Sequence, residues 1–505
     1  MLFAELTATS RAVAAASSRL RKVELIAECL RRTPKHEVEI AVGYLSGELR
    51  QRRTGIGWAA FNDAPPPATA STLEISDVDA TFARAAGAAG KGSTTERRRL
   101  LHELLGRATT DEQAFIRGLV SGEIRQGALE GVMLDAVARA ADVPAIDVRR
   151  AVMLAGAIPP VAVAALSEGS AGLEKFRLVV GRPVMPMLAQ TATSTGAALA
   201  KLGRAAVEWK LDGVRIQVHR NGADVRVFTR TLDDVTDRLP EVVDAALALP
   251  VDTAILDGEA IALYDDGRPR PFQATASRAA TRVRAAQTVP LTPYVFDVLH
   301  LDGTDLIATP AAERYAAWAG VLTEDLRVPR IVTDSTDEAQ AFLDNTLARG
   351  HEGVVVKSLE VPYDAGRRGA GWLKVKPVHT LDLVVLAAEW GHGRRQGWLS
   401  NLHLGARDPA TGGFVMLGKT FKGMTDEMLR WQTEKFLTLA VDRNDWVVTL
   451  RPELVVEIAF DGVQGSPRYP GGVALRFARV IRYREDKRPE EADTIEAVLA
   501  FRPHP

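Results

Sequence analysis

The chain has 505 residues, enough for roughly three domains of about 150 residues each. With 46% hydrophobic and 25% charged residues, and no apolar run near the ~20 residues that span a bilayer, it is neither a disordered chain nor a membrane-spanning one. Lys+Arg of 63 against Asp+Glu of 64 leaves a net charge of −1, which excludes a uniformly basic coat but not a basic face balanced by an acidic back. Its single cysteine, Cys29, rules out a disulfide framework and, in a monomer, a Cys-based zinc site. A reducing, cytoplasmic setting is expected.

The start, MLFAELTATSRAVAAASSRLRK, has the Ala/Ser/Arg flavour of a transit peptide but lacks the apolar stretch of a secretory signal. It runs on into VELIAECLRR, and we read it as the first helix of the mature chain. Residues 1–175 read as helices joined by short polar loops. Phe115, Ile116, Leu119 and Val120 share one helical face, and so do Leu129, Val132, Met133 and Val137 beyond Ser121-Gly122 and Gly127. A helical hairpin follows. In GAAGKGSTTERRRLLHELL, Gly92 separates the lysine from Ser93 and no strand precedes it, so a phosphate-binding loop is not expected. Ser93 and Glu96 fit a capping box at the start of a helix instead.

Pro183 and Pro186 mark a boundary, after which short strands and tight turns take over. Residues 181–377 read as an α+β domain on antiparallel sheet, with Asp212-Gly213 and Asn221-Gly222 as turn signals. Residues 378–505 offer several short strands and one helix, DEMLRWQTEKFLTL, the pattern of a small oligonucleotide-binding (OB-fold) β-barrel.

Glu208-Trp209-Lys210-Leu211-Asp212-Gly213-Val214-Arg215 crowds four charges around one turn. Taken alone it suits a β-hairpin with solvated tips as well as it suits a nucleophilic Lys210, which would need burial or cationic neighbours to lose its proton. The cations exist, in order along the chain. With them the sequence resembles the ATP-dependent DNA ligases of the covalent nucleotidyltransferase superfamily, in their three-domain bacterial or archaeal form. The nucleotidyl signature K-x-D-G-x-R stands at Lys210–Arg215, and VFTRTLDDVTDRLP, LDGEAIAL, YVFDVLHLDG, EGVVVK, RRGAGWLKVK and LRFARVIRYREDK resemble the blocks that follow.

The resemblance implies an all-α DNA-binding domain, a nucleotidyltransferase (adenylation) domain and a terminal OB-fold. It implies that Lys210 attacks the α-phosphorus of ATP, that Glu208 accepts a hydrogen bond from the adenine amino group and that Phe296 stacks on the base. Glu259 would hold the ribose hydroxyls, and Arg215 and Arg230 would reach ribose and phosphate. Glu352, together with Glu259, would hold Mg²⁺ or Mn²⁺, a hard cation that takes oxygen ligands. Arg368, Lys374 and Lys376 would neutralise phosphoryl charge, the two lysines sharing one face of a strand. Arg476, Arg479, Arg482 and Arg484 would form a cationic strand that closes over ATP, with Ala478 where the family has proline.

DNA contacts are expected from Arg125 in SGEIRQG, from Arg394 and Arg395 in GHGRRQGWLSN, and from Lys419 and Lys422 in GKTFKG. The implied partner is nicked duplex DNA, encircled by a monomer, with no membrane involved. The single cysteine argues against the zinc-bearing NAD-dependent ligases. RNA ligases, GTP-using capping enzymes and a catalytically silent DNA clamp are the other readings.

Overall fold

The computed structural model describes residues 1–51, 54–124, 130–280, 289–364, 371–392 and 395–502. Arg125, Arg368 and Arg394 lie outside the described residues.

The first third is helical, from Phe3–Ala15 to Ile158–Leu173. The helices pack on one core that includes Phe3, Tyr44, Phe82, Leu101, Ile116, Val137 and Val152. The two helices of the expected hairpin are present as Thr110–Ser121 and Glu130–Ala141, burying Ile116 and Leu119 on one and Val132, Met133 and Val137 on the other, with Leu129 outside the described residues. They do not pack as a hairpin, since the first lies on Phe3–Ala15 and the second on Arg19–Arg32.

Two further expectations are corrected. The opening segment forms two helices, Phe3–Ala15 and Arg19–Arg32, because Ser18 stays extended and its hydroxyl accepts from the Arg21 amide. Ser93 is no cap. Gly92, with φ of +92°, takes the N-cap position, so Ser93 falls inside the helix Ser93–Arg107 and the Glu96 carboxylate pairs with Arg99 at 2.6 Å.

The middle of the chain folds into two five-stranded sheets. Its strands are β1 (Gln190–Thr191), β2 (Ala205–Lys210), β3 (Val214–Asn221), β4 (Asp224–Thr229), β5 (Thr253–Ala262), β6 (Leu291–Leu301), β7 (Thr304–Asp305), β8 (Arg330–Thr333), β9 (Gly353–Ser358) and β10 (Trp372–Val375). One sheet runs β1-β10-β9-β2-β8 and the other β4-β3-β5-β6-β7. All pairs are antiparallel except β1–β10. Asn221-Gly222 does make a hairpin, with Asn221 opposite Asp224.

Asp212-Gly213 does not. β2 pairs with β8 and β9 while β3 pairs with β4 and β5, so Leu211-Asp212-Gly213 is the crossing from one sheet to the other. The glycine is needed for close approach, since a Cβ on Gly213 would lie 2.5 Å from the Ala260 carbonyl oxygen.

A β-rich domain follows, with β11 (His379–Trp390), β12 (Leu399–Arg407), β13 (Phe414–Thr420), β14 (Ala440–Arg443), β15 (Val447–Leu450), β16 (Val455–Phe460), β17 (Gly462–Gly465), β18 (Val473–Arg476) and β19 (Arg479–Tyr483). Long β11 pairs with β16 over its first half and with β15 over its second, so the sheet divides along one edge. The helix Asp426–Leu439 sets Leu429, Phe436 and Leu439 into this core. LRFARVIRYR is not one cationic strand: β18 ends at Arg476, Phe477 takes a φ of +55°, and β19 begins in a different sheet.

Candidate active site

A cavity of about 640 Å³ lies where the two central sheets meet, and the third domain reaches its rim. Its lining gathers residues from far-apart segments: Glu208, Lys210, Arg215, Arg230, Glu259, Phe296, Glu352, Lys374, Lys376 and Arg476. Nearly every residue read from the sequence as nucleotide- or metal-binding, and also described, is therefore brought to one place. Arg479, Arg482 and Arg484 are the exceptions, Arg479 standing 3.8 Å from Asp461.

Lys210 ends β2, and its ammonium pairs with the Glu352 carboxylate that precedes β9. The strand register fixes this meeting, because Lys210 lies opposite Gly353. Lys376, one residue past β10, donates to the other Glu352 oxygen at 3.0 Å and also pairs with Asp461 of the third domain. Burial works to raise the Glu352 carboxyl, but Lys210 and Lys376 outweigh it and hold the group below the usual carboxylate range. Glu259 behaves in the opposite sense: burial pushes it up to about 7, against Lys210, Arg215 and the Gly213 amide that it accepts at 3.0 Å.

Arg215 is anchored. It makes a two-pronged pair to buried Asp257, at 3.0 and 2.6 Å, and donates to the Met187 carbonyl at 2.7 Å. Its guanidinium thereby lies 5.3 Å from the Phe296 ring centre and 5.6 Å from that of Trp372. Those two rings meet edge to face with centroids 5.9 Å apart, and Phe296 is only partly buried where it lines the cavity. Glu208 lies at the floor, almost fully buried, with one oxygen on Arg330 and the other 2.6 Å from Lys357.

At the rim, Arg476 forks onto Asp212 at 2.6 and 3.2 Å, tying the third domain to the sheet crossing next to Lys210. Phe477 beside it is exposed, with the Lys376 ammonium 5.8 Å and the Lys422 ammonium 5.6 Å from its ring. Of the residues read as DNA contacts, Lys419 pairs with Glu389, whose carboxyl also accepts from His403 and Asn401. Arg395 donates to the Phe421 carbonyl. Arg482 pairs with Glu457, and Arg484 with Asp382 and Asp486, so neither lines the cavity.

Sequence reading missed Arg330 and Asp461. Each stands outside a recognised block and meets its partner across 122 and 85 residues of chain respectively, so no local pattern marks either.

No cluster of three or more His, Cys, Asp or Glu suited to a metal is present among the described residues. Glu259 and Glu352, which line the cavity from its two different sheets, nevertheless fit a magnesium ion, which keeps several waters and takes the rest of its ligands from one or two carboxylates and substrate phosphates.

Comparison with known proteins agrees along the chain. The family described as "ATP dependent DNA ligase domain" matches residues 186–376, "ATP dependent DNA ligase C terminal region" matches 395–487, and "DNA ligase N terminus" matches 59–138. A "Probable DNA ligase" of Anaeromyxobacter sp. (strain Fw109-5) is 60% identical over 508 residues, covering 99% of this chain and 98% of its own. Another of the same description, from Beutenbergia cavernae, is 60% identical over 510 residues and 99% of each chain. The solved structure "Pmar-Lig_PreS3" shares the fold at a TM-score of 0.63 and 17% identity, over 95% of this chain and 99% of its own.

Proposed function

Since the chain belongs to the ATP-dependent DNA ligases, we propose that it seals 5′-phosphate/3′-hydroxyl nicks in duplex DNA through an AMP carried on Lys210. The observation that carries this reading is the position of the Lys210 ammonium, against Glu352 on the wall of a cavity whose far end holds Phe296 and Glu208.

Lys210 Nζ first gives up its proton. Lys374 and Lys376, which line the same cavity, meet the phosphates. The amine then attacks the α-phosphorus of ATP: an N–P bond forms, the P–O bond to the β-phosphate breaks, and pyrophosphate leaves. A 5′-phosphate oxygen of the nick next takes the AMP, breaking the N–P bond and freeing Lys210. Finally the 3′-hydroxyl attacks that 5′-phosphate, and AMP departs. Glu259 holds the ribose, Arg230 reaches the phosphates from the end of β4, and Phe296 offers its face to the base. Arg215, already committed to Asp257, acts mainly by holding the wall beneath the nucleotide. Magnesium held by Glu352 and Glu259 would supply Lewis acidity and charge neutralisation.

The Arg476–Asp212 and Lys376–Asp461 pairs describe a third domain closed on the nucleotide site. We read this as the arrangement for self-adenylation. Opening it would free Arg476, Arg479 and Lys422 for DNA, with Arg395 as a further contact of an encircling monomer. Partly exposed ion pairs suit such a reversible contact.

The test is a 5′-labelled duplex with one nick, incubated with protein, Mg²⁺ and ATP, GTP or NAD. Sealing with ATP is expected; sealing only with NAD or GTP, or only of nicked RNA, would overturn the reading.

A further inference from the structure

We propose that Arg330 is the positioning residue that locks the Glu208 carboxylate as a base-reading acceptor, and so sets the preference for adenine over guanine; this rests on the reading that Glu208 meets the base.

Glu208 cannot stand in the cavity floor without help, because a buried carboxylate requires charge partners and filled lone pairs. Lys357 supplies one partner and Arg330 the other. The two cations differ in what holds them. Lys357 lies within the cavity's own aromatic wall, 4.3 Å from the Phe296 ring centre and 4.2 Å from that of Trp372. Arg330 comes from outside that wall. It begins β8, opposite Glu208 in the register, and its guanidinium lies 3.6 Å from the Tyr315 ring centre and 4.6 Å from that of Trp318. Those rings are stacked at 5.3 Å on the helix Ala311–Trp318, a rigid shelf for a planar cation.

From that shelf one guanidinium nitrogen serves both base-facing residues, bonding the Glu208 carboxylate and the Phe296 carbonyl, the latter at 3.4 Å. Lys357 makes the matching pair of contacts, donating to the same Phe296 carbonyl at 3.3 Å. The two cations together couple the group that reads the edge of the base to the strand whose ring covers its face, and Arg330 alone does so from outside the cavity wall. Its Nε is buried without a hydrogen-bond partner among the described residues, a cost that plain surface anchoring does not call for.

The chemistry of selection follows. An ionised, immobile carboxylate accepts from the adenine amino group and repels the guanine carbonyl oxygen at the same position. A carboxylate left with Lys357 alone is held at one oxygen and can rotate about that contact, and the repulsion weakens.

The experiment measures lysyl-nucleotide formation from ATP and from GTP in single-turnover reactions of the full chain. Arg330→Met keeps the apolar contact with Tyr315 and Trp318 and removes the charge. We expect its apparent KM for ATP to rise about tenfold or more and its ATP-over-GTP discrimination to fall by a similar factor, with a smaller change in the rate at saturating ATP. Arg330→Lys should recover part of both, and Arg330→Met should add little in a Glu208→Gln background. Wild-type discrimination in Arg330→Met, or fully additive losses in the double variant, would overturn the proposal while leaving Glu208 as the base reader. Unchanged discrimination in Glu208→Gln would instead sink the base-reading role itself, and the proposal with it. Should Arg330→Met fail to fold, Arg330→Lys decides alone: an intermediate loss supports the lock and wild-type discrimination refutes it.

Discussion

The floor of the cavity and its mouth use the same materials, carboxylates matched to ammonium and guanidinium groups, but they draw the partners from different places. At the floor every partner belongs to the two central sheets or the helix behind them: Glu208 with Arg330 and Lys357, Asp257 with Arg215, Asp297 with Arg314. These groups are largely buried, and Arg314 and Asp297 have no exposed side-chain surface at all. At the mouth the partners come from the third domain, Arg476 to Asp212 and Asp461 to Lys376. The Arg476 and Asp212 side chains keep 23% and 28% of their surface in solvent, while Lys376 and Asp461 keep 15% and 11%. Buried pairs resist separation because losing one partner strands a charge in low dielectric; a partly exposed pair such as Arg476–Asp212 exchanges protein for water at less cost. The floor is therefore built to hold a shape and the mouth to open.

The sharpest break in that comparison comes from the floor. Arg314→Met should destabilise the fold by about 3–5 kcal/mol in urea unfolding, because it leaves Asp297 buried and unpaired. A loss within about 1 kcal/mol would mean that the floor is no more rigid than the mouth.

Glu259 stands between the two regions and provides a pH test. Its folded value of about 7 exceeds its ordinary 4.5, so the native state binds the extra proton, and stability falls as pH rises from about 4.5 through about 7. Glu259→Gln should flatten that slope relative to wild type by up to about 3 kcal/mol between pH 5 and pH 8, read from unfolding midpoints. Parallel slopes in the two proteins would place Glu259 in water rather than in the wall.

At the mouth, Arg476→Ala removes a two-pronged contact outside the floor. We expect lysyl-AMP formation to slow about tenfold to a hundredfold, or about 1.5–3 kcal/mol, while sealing of pre-adenylated nicks changes by less than about threefold. Equal losses in both steps would contradict a contact made only in the closed arrangement. The smallest effect is expected at Lys419. Its pair with Glu389 is already partly solvated, so Lys419→Ala should cost under about 1 kcal/mol of stability.

The same contrast explains what could be read from the sequence. Strands, single helices and the lysine-bearing blocks were legible because local periodicity and ordered motifs mark them, as at Thr110–Ser121 and Asp426–Leu439. The Asp212-Gly213 turn was misread because a glycine that allows close backbone approach to Ala260 looks the same as one that allows a reverse turn. The cationic strand was misread because nothing in its alternating pattern announces the positive φ at Phe477 that divides it. Ser93 lost its cap to a neighbouring glycine. Arg330, Asp257 and Asp461 act on residues tens to more than a hundred positions away, and only the fold brings those charges together.

The most direct test of the account is to incubate wild type, first stripped of bound AMP with pyrophosphate, with Mg²⁺ and ATP, then map the modified peptide by mass spectrometry beside Lys210→Ala. The account predicts AMP on Lys210 and none on the variant. AMP on another residue, or none on the wild type, would contradict it.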